Sequence, residues 1–262
     1  MAQRRIDQLT DDALFDDWVK WIGRVENELI GIAWNRRLFR EVSRVFSHNT
    51  HLQQVGGFLY DWLRLNYTAG VAMAFRREVD RANAMGFVHL LGEIVARPQV
   101  LSRRRHYDRW TLRSSFEEEL RRKSFDVMPF VSPSDDPLDD HIDPAAVRAD
   151  IDTIRTDTEI VHDYVEQTIA HRAWGEQQSI TFVQFNAAVD ALTPIFKRYY
   201  ARLTQSSLMQ MSPVPQYNVH LPFTFPWDVT CNRLWDEARG NQPLPWSEIG
   251  LVYRDDPIDE EH

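Results

Sequence analysis

The stretch 150–172, DIDTIRTDTEIVHDYVEQTIAHR, carries the residues of this chain that are best suited to chemistry. Arg155 and His162 are separated by six residues, two helical turns apart on one side of a helix. Metal-free cleavage of RNA needs a group that takes the 2′-hydroxyl proton or protonates the leaving oxygen, and imidazole titrates in the right range. It also needs fixed positive charge on the phosphorane-like transition state, which a guanidinium supplies through two parallel N–H donors. Arg155 and His162 can therefore address one phosphodiester, although a solvated helix edge would show the same spacing. His171 falls nearly opposite His162 on the helical wheel, so one side of this helix cannot present both histidines to one reacting atom.

Other chemistries find less support. The chain has no glycine-rich phosphate loop, no G-x-S-x-G elbow and no H-E-x-x-H. Glu159 and His162 form a single Glu-x-x-His, whereas di-iron bundles use two copies and two further glutamates. His48 and His51 could meet on a turn but lack a third ligand, and a cap and turn accounts for them equally well. No metal and no cofactor is expected. A second basic feature is Arg103-Arg104-Arg105 followed by Tyr107, Arg109 and Trp110. Guanidiniums for phosphates and rings for stacked bases suit RNA. The plain alternative is a solvated face paired with acidic neighbours such as Asp108 and Glu117 to Glu119.

The elements that position these residues are helical. Apolar residues at helical spacing from Leu14 to Phe46 give a long first helix, with Thr10 as its cap and Asp11 and Asp12 in its first turn. A second helix is expected over 52–84. It is apolar on nearly all sides, through Phe58, Leu59, Trp62, Leu63, Leu65, Val71 and Phe75, and so belongs in the middle of a bundle. The polar residues on it read as Asp61 with Arg64 and Arg76 with Asp80 at helical spacings. A short helix over 85–96 should stop before Pro98, and 103–123 reads as one helix with a basic face. The Pro- and Asp-rich segment 125–144 is the best loop. Asp143 can cap the next helix with Pro144 at its first position, and Ile151, Ile154, Val161, Val165, Thr168 and Ile169 form that helix's buried arc. Thr181 with Gln184 makes a capping box for the last long helix, in which Pro194 predicts a kink or a restart.

Composition bounds the rest. The 262 residues are 43% hydrophobic and 26% charged, with a net charge of -9. No apolar stretch approaches the roughly 18 residues of a membrane span, so no membrane association is expected. The N-terminus lacks the apolar core of a secretory signal, and the single Cys231 leaves no intrachain disulfide, which together suggest a cytoplasmic setting. The expected organisation is a helical bundle over 1–204 and an irregular, Pro- and aromatic-rich C-terminal extension over 205–262.

The order of helices, with Phe75-Arg76-Arg77-Glu78-Val79-Asp80 closing the second, Leu90-Leu91 in the third, then Ile169-Ala170-His171-Arg172, Ile180-Thr181-Phe182, Ala191-Leu192 and Phe196-Lys197-Arg198-Tyr199-Tyr200, resembles the abortive-infection AbiU-type branch of the HEPN superfamily over 14–203. That resemblance implies an all-α bundle, frequent homo-oligomerisation, and in many members metal-independent RNase activity in phage-defence or toxin systems, where a cognate antitoxin protein is a further partner. The family's active motif is an arginine, then four to six intervening residues, then a histidine. If His171 is that histidine, the arginine falls at Tyr164, Val165 or Glu166, and none is arginine. Three outcomes remain: Arg155 with His162 as a shifted site, Arg76, Arg77 or a partner-chain residue as the missing charge, or lost activity. The alternative to an RNA-binding enzyme is a non-catalytic helical dimerisation or protein-binding module, with the aromatic surface after Met211 as its contact.

Overall fold

The computed structural model describes residues 6–55, 57–80, 85–109, 115–126, 128–133, 135–170, 180–206 and 211. The fold is an all-α helical bundle with one small two-stranded hairpin. It divides into two compact units, Met1–Trp34 with Thr68–Pro213, and Asn35–Tyr67 with Val214–His262. Among the described residues no helix is long and apolar enough to cross a membrane.

Helix α1 (Asp11–His48) opens where the Thr10 hydroxyl accepts the Ala13 N–H at 3.3 Å. In the first unit it buries Leu14, Trp18, Trp21, Ile22, Val25, Leu29 and Ile32, which recur every three or four residues and so share one face. Asn49 interrupts the helix and caps α2 (Thr50–Val55), its side chain accepting the Leu52 N–H at 3.0 Å. Helix α3 (Gly57–Val79) follows.

The expectation of one buried helix over 52–84 is corrected in both parts. Two helices occupy the stretch, and the buried residues of α3 are Val71, Ala72, Phe75, Glu78 and Val79, all in its second half. Phe58, Leu59, Trp62 and Leu65 in the first half are exposed. Apolar composition on all sides shows that a helix would gain from cover, but it does not supply the covering element. In the second unit this half of α3 lies along the end of α1, where Phe39 stacks on Tyr67 at 4.3 Å, Phe46 meets Tyr60 at 5.1 Å, and the Tyr60 hydroxyl donates to Ser43 at 3.3 Å.

Within the first unit, α4 (Phe87–Ala96) is buried through Phe87, Val88, Leu90, Leu91 and Ile94 and ends before Pro98 as expected. The stretch 103–123, expected as one helix, contains α5 (Arg103–Arg109) and α6 (Ser115–Asp126), with 110–114 outside the described residues. The expected loop holds β1 (Phe130–Val131) and β2 (His141–Ile142), paired antiparallel with Phe130 opposite Ile142. Two-residue strands are too short to leave a readable alternation.

Helix α7 (Pro144–Tyr164) starts as the sequence requires, the Asp143 carboxylate accepting the Ala145 N–H with Pro144 in the first turn. It continues into a π-helical turn, Val165–Ala170. Its buried stripe, Val147, Ile151, Ile154, Thr158, Val161 and Val165, packs against α4 and α8 (Phe182–Thr204). The capping box of α8 is present, with Thr181 and Gln184 bonding each other's backbone N–H. The helix passes through Pro194 without a break, and the proline lies on its exposed side. Phe87 sits at the centre, its ring 5.5 Å from Phe196 and 6.0 Å from Tyr199. Phe87→Ala should therefore lower unfolding stability by about 3–5 kcal/mol, through lost transfer energy and the cavity left behind, as measured by urea denaturation.

Candidate functional site

The stripe that α7 buries decides what it leaves outside. With residues 147, 151, 154, 158, 161 and 165 inward, Arg155 and His162 border the buried stripe and Glu159 and Asp163 lie further round, where the helix faces the C-terminal end of α3. Between them lies an open cleft of about 520 Å³ lined by Val79 at the end of α3, by Asp80 just beyond it, and by Asp152, Arg155, Glu159, His162 and Asp163 of α7. Arg155 and His162 thus share one cleft. So do four carboxylates, Asp80, Asp152, Glu159 and Asp163, and the nearest to the imidazole is Asp163 at 3.7 Å. Carboxylates thus outnumber cationic side chains in the lining, a composition that favours cations over a phosphodiester.

Arg76, the other candidate for phosphate contact, stands on α3 and is ion-paired with Glu166 of the π-helical turn and with Asp80 at 3.8 Å. His171 and Trp110 lie outside the described residues. Among the described residues no three His, Cys, Asp or Glu side chains are grouped so as to hold a metal ion.

The arginines of α5 each meet carboxylates. Arg103 bonds Asp126 at 2.9 Å and Asp140 at 3.3 Å, and lies over the rings of Phe125 and Phe130. Arg104 reaches Asp136 at 2.8 Å and Asp139 at 3.3 Å. Arg105 bonds Asp12 at 3.0 Å and the carbonyl of Val100 at 2.9 Å, while Arg109 bonds Asp16 at 2.7 Å and covers Phe15. The partners come from α1 and from the 125–144 segment, not from Asp108 or Glu117 to Glu119. A strand of RNA docking here would have to exchange its phosphates for these carboxylates.

Five ionisable side chains that the sequence pattern does not mark are buried: Glu78, Glu93, His106, Asp140 and Arg202. Glu78 accepts the Phe87 N–H at 3.1 Å and so satisfies one of the free donors at the start of α4. His106 is buried between α5 and α6, its Nε2 3.0 Å from the Ser124 hydroxyl, and Arg202 is buried in the last turn of α8. The only local signal was Gly86, where a Cβ would stand 2.3 Å from the Arg77 carbonyl oxygen, a distance that marks a close approach of two backbones. No family model matches the chain, and no curated protein and no solved structure matches it.

Burial raises the Glu78 carboxyl to about 7, opposed by Arg24, reinforced by Glu28 and opposed again by the Phe87 N–H and Arg77. A raised carboxyl stabilises the fold fully only below its ordinary value of 4.5, and that contribution is lost as pH rises through about 7. The loss across this window is about 3 kcal/mol, from roughly 1.4 kcal/mol per unit. Glu78→Gln keeps an acceptor for Phe87 and removes the titration. Thermal melts from pH 4.5 to 8 should show the wild type losing stability relative to the variant as pH rises, with the difference levelling off above 7.

Proposed function

We propose that this chain is a HEPN-like helical protein that works by self-association, as a non-catalytic module in the defence or toxin setting that the resemblance implies. The observation that carries this reading is a projecting apolar row beside an apolar cleft on the same hairpin. Phe58 is 86% exposed and Trp62 53%, and with Leu65 they fall at i, i+4 and i+7 on one face of α3. Next to that row, the cleft lined by Leu38, Phe39, Val42, Trp62, Leu63 and Tyr67 encloses about 330 Å³, room for an aromatic side chain. A knob and a hole on one surface are self-complementary. A two-fold pair can seat Phe58 of each copy in the cleft of the other. Ion pairs at the edge, Arg44 with Glu41 at 3.0 Å and Arg64 with Asp61 at 3.4 Å, give the rim both signs of charge, as a two-fold contact requires.

The missing family arginine, the four carboxylates around Arg155 and His162, and the paired arginines of α5 support the non-catalytic side of this reading. A second reading, a metal-independent endoribonuclease, draws on the cleft that Arg155 and His162 share.

Two measurements separate them. Sedimentation of the full chain should show a concentration-dependent dimer that tightens or holds as salt is raised, because the contact is apolar, and Trp62→Glu should make it monomeric. A chain that stays monomeric at every concentration sinks the self-association. Purified protein incubated with total RNA in EDTA should leave the RNA intact. Cleavage that disappears in His162→Ala would establish the nuclease in its place, and RNA binding would weaken steeply with salt where the dimer does not.

A further inference from the structure

Arg202, at the C-terminal end of α8, is 4% exposed, yet no carboxylate among the described residues pairs with it. Its Nε–H has no acceptor, and its one hydrogen bond runs from Nη1 to the Ser124 carbonyl at a long 3.5 Å. Its guanidinium lies 3.7 Å from the centroid of the Phe125 ring, which Arg103 also covers at 4.2 Å. The nearest opposing charge, Asp126, is taken by Arg103 at 2.9 Å. Arg121 repeats the pattern. Its Nε is buried without an acceptor, its one carboxylate partner among the described residues is Glu118 at 3.6 Å, its Nη1 donates to the Tyr107 carbonyl at 3.4 Å, and it covers the Tyr107 ring at 4.3 Å.

The two arginines act on one histidine. Burial lowers the His106 imidazole to about 4, helped by Arg202, Arg121 and Arg103, and burial together with Arg103 lowers Arg202 to about 9. Arg202 therefore remains charged at neutral pH. A buried charge without a counter-ion is among the costliest arrangements a fold can contain. The region holds two buried N–H donors, the Nε–H of Arg202 and of Arg121, aimed at no acceptor. Arg121 keeps 15% of its side chain exposed and so gives the region an opening to solvent.

We propose that Arg202, with Arg121 beside it, forms a binding site for a small oxyanion of the phosphate class, independent of the hairpin that self-associates. A planar guanidinium fork matches two oxygens of such an ion, which would accept the donors that no protein group takes up. Phe125, lying against the guanidinium of Arg202, holds it in place before the ion arrives.

The test is thermal unfolding of the full chain in 0–10 mM inorganic phosphate, with ionic strength held constant by sodium chloride. The wild type should gain about 3–5 °C for each tenfold rise in phosphate above its dissociation constant. Arg202→Met, which removes an unpaired buried charge, should be at least as stable as the wild type without phosphate and show no gain with it. Arg202→Lys keeps the charge but loses the fork, and should need at least tenfold more phosphate for the same gain. In parallel, the His106 imidazole followed by NMR should titrate at higher pH in phosphate, and only when Arg202 is intact. The proposal is overturned by no gain in the wild type, by an equal gain in Arg202→Met, or by an Arg202→Met chain that is less stable or fails to fold without phosphate. It is also overturned if a gain appears only after Asp255, Asp256, Asp259, Glu260 and Glu261 are changed to Asn and Gln, since the counter-charge is then the chain's own acidic tail.

Discussion

The first unit depends on the apolar stripe of α7, six residues spaced four, three, four, three and four apart. That spacing keeps one side of the helix against α4 and α8 for its whole length. Thr158 can occupy a slot in it because its hydroxyl is satisfied within the helix, by the Ile154 carbonyl at 2.7 Å. The polar residues on one flank of the stripe, Asp152, Arg155, Glu159, His162 and Asp163, are left to line the cleft, while Asp150 pairs with Arg198 and Tyr199 of α8. The composition of the candidate cleft is therefore what the core leaves over, and there acidic residues outnumber basic ones.

Charge pairing is the second organising feature. Asp11, Asp12 and Asp16 occupy the first turns of α1, where carboxylates suit the positive end of the helix, and the same carboxylates receive Arg97, Arg105 and Arg109. One short acidic run thereby caps a helix and fastens α5 to it. Exposed pairs of this kind contribute roughly 0–1 kcal/mol each, whereas Arg103, with 11% of its side chain exposed and two carboxylate partners, is tied into the interior. The basic run that looked like a strand-binding face is thus divided between surface fastening and core.

What could be read from the sequence follows the range of each interaction. The cap of α1 at Thr10, the Asp143-Pro144 start of α7, the Thr181 and Gln184 box, the stop before Pro98 and the α7 stripe all involve residues within a few positions of one another, and all are present. The pairing of Arg105 with Asp12 and of Arg109 with Asp16 spans 93 residues in each case, and no local pattern encodes it. Burial of Glu78, His106 and Arg202 was hidden for another reason: these types normally sit in water, so only packing from distant helices reveals the exceptions. For the candidate cleft, the shared edge of Arg155 and His162 was legible as helical geometry. The contribution of Asp80 was not, because it arrives from a distant part of the chain, just past the end of α3. The exposure of Phe58 and Trp62 was not legible either, since sequence shows how apolar a face is and not whether anything lies against it.

The corner between α3 and α4 has a use outside this molecule. The backbone at Gly86 passes so near the Arg77 carbonyl that any side chain there would collide with main chain, and Glu78 holds the N–H of the next residue, Phe87. Steric exclusion and hydrogen bonding thus fix two positions eight apart in one short pattern: a carboxylate, seven residues of any kind, then glycine and the first residue of an apolar helix. Distant chains that turn this corner in the same way would carry the same signature. It offers a physically grounded query for finding relatives too diverged for whole-chain comparison.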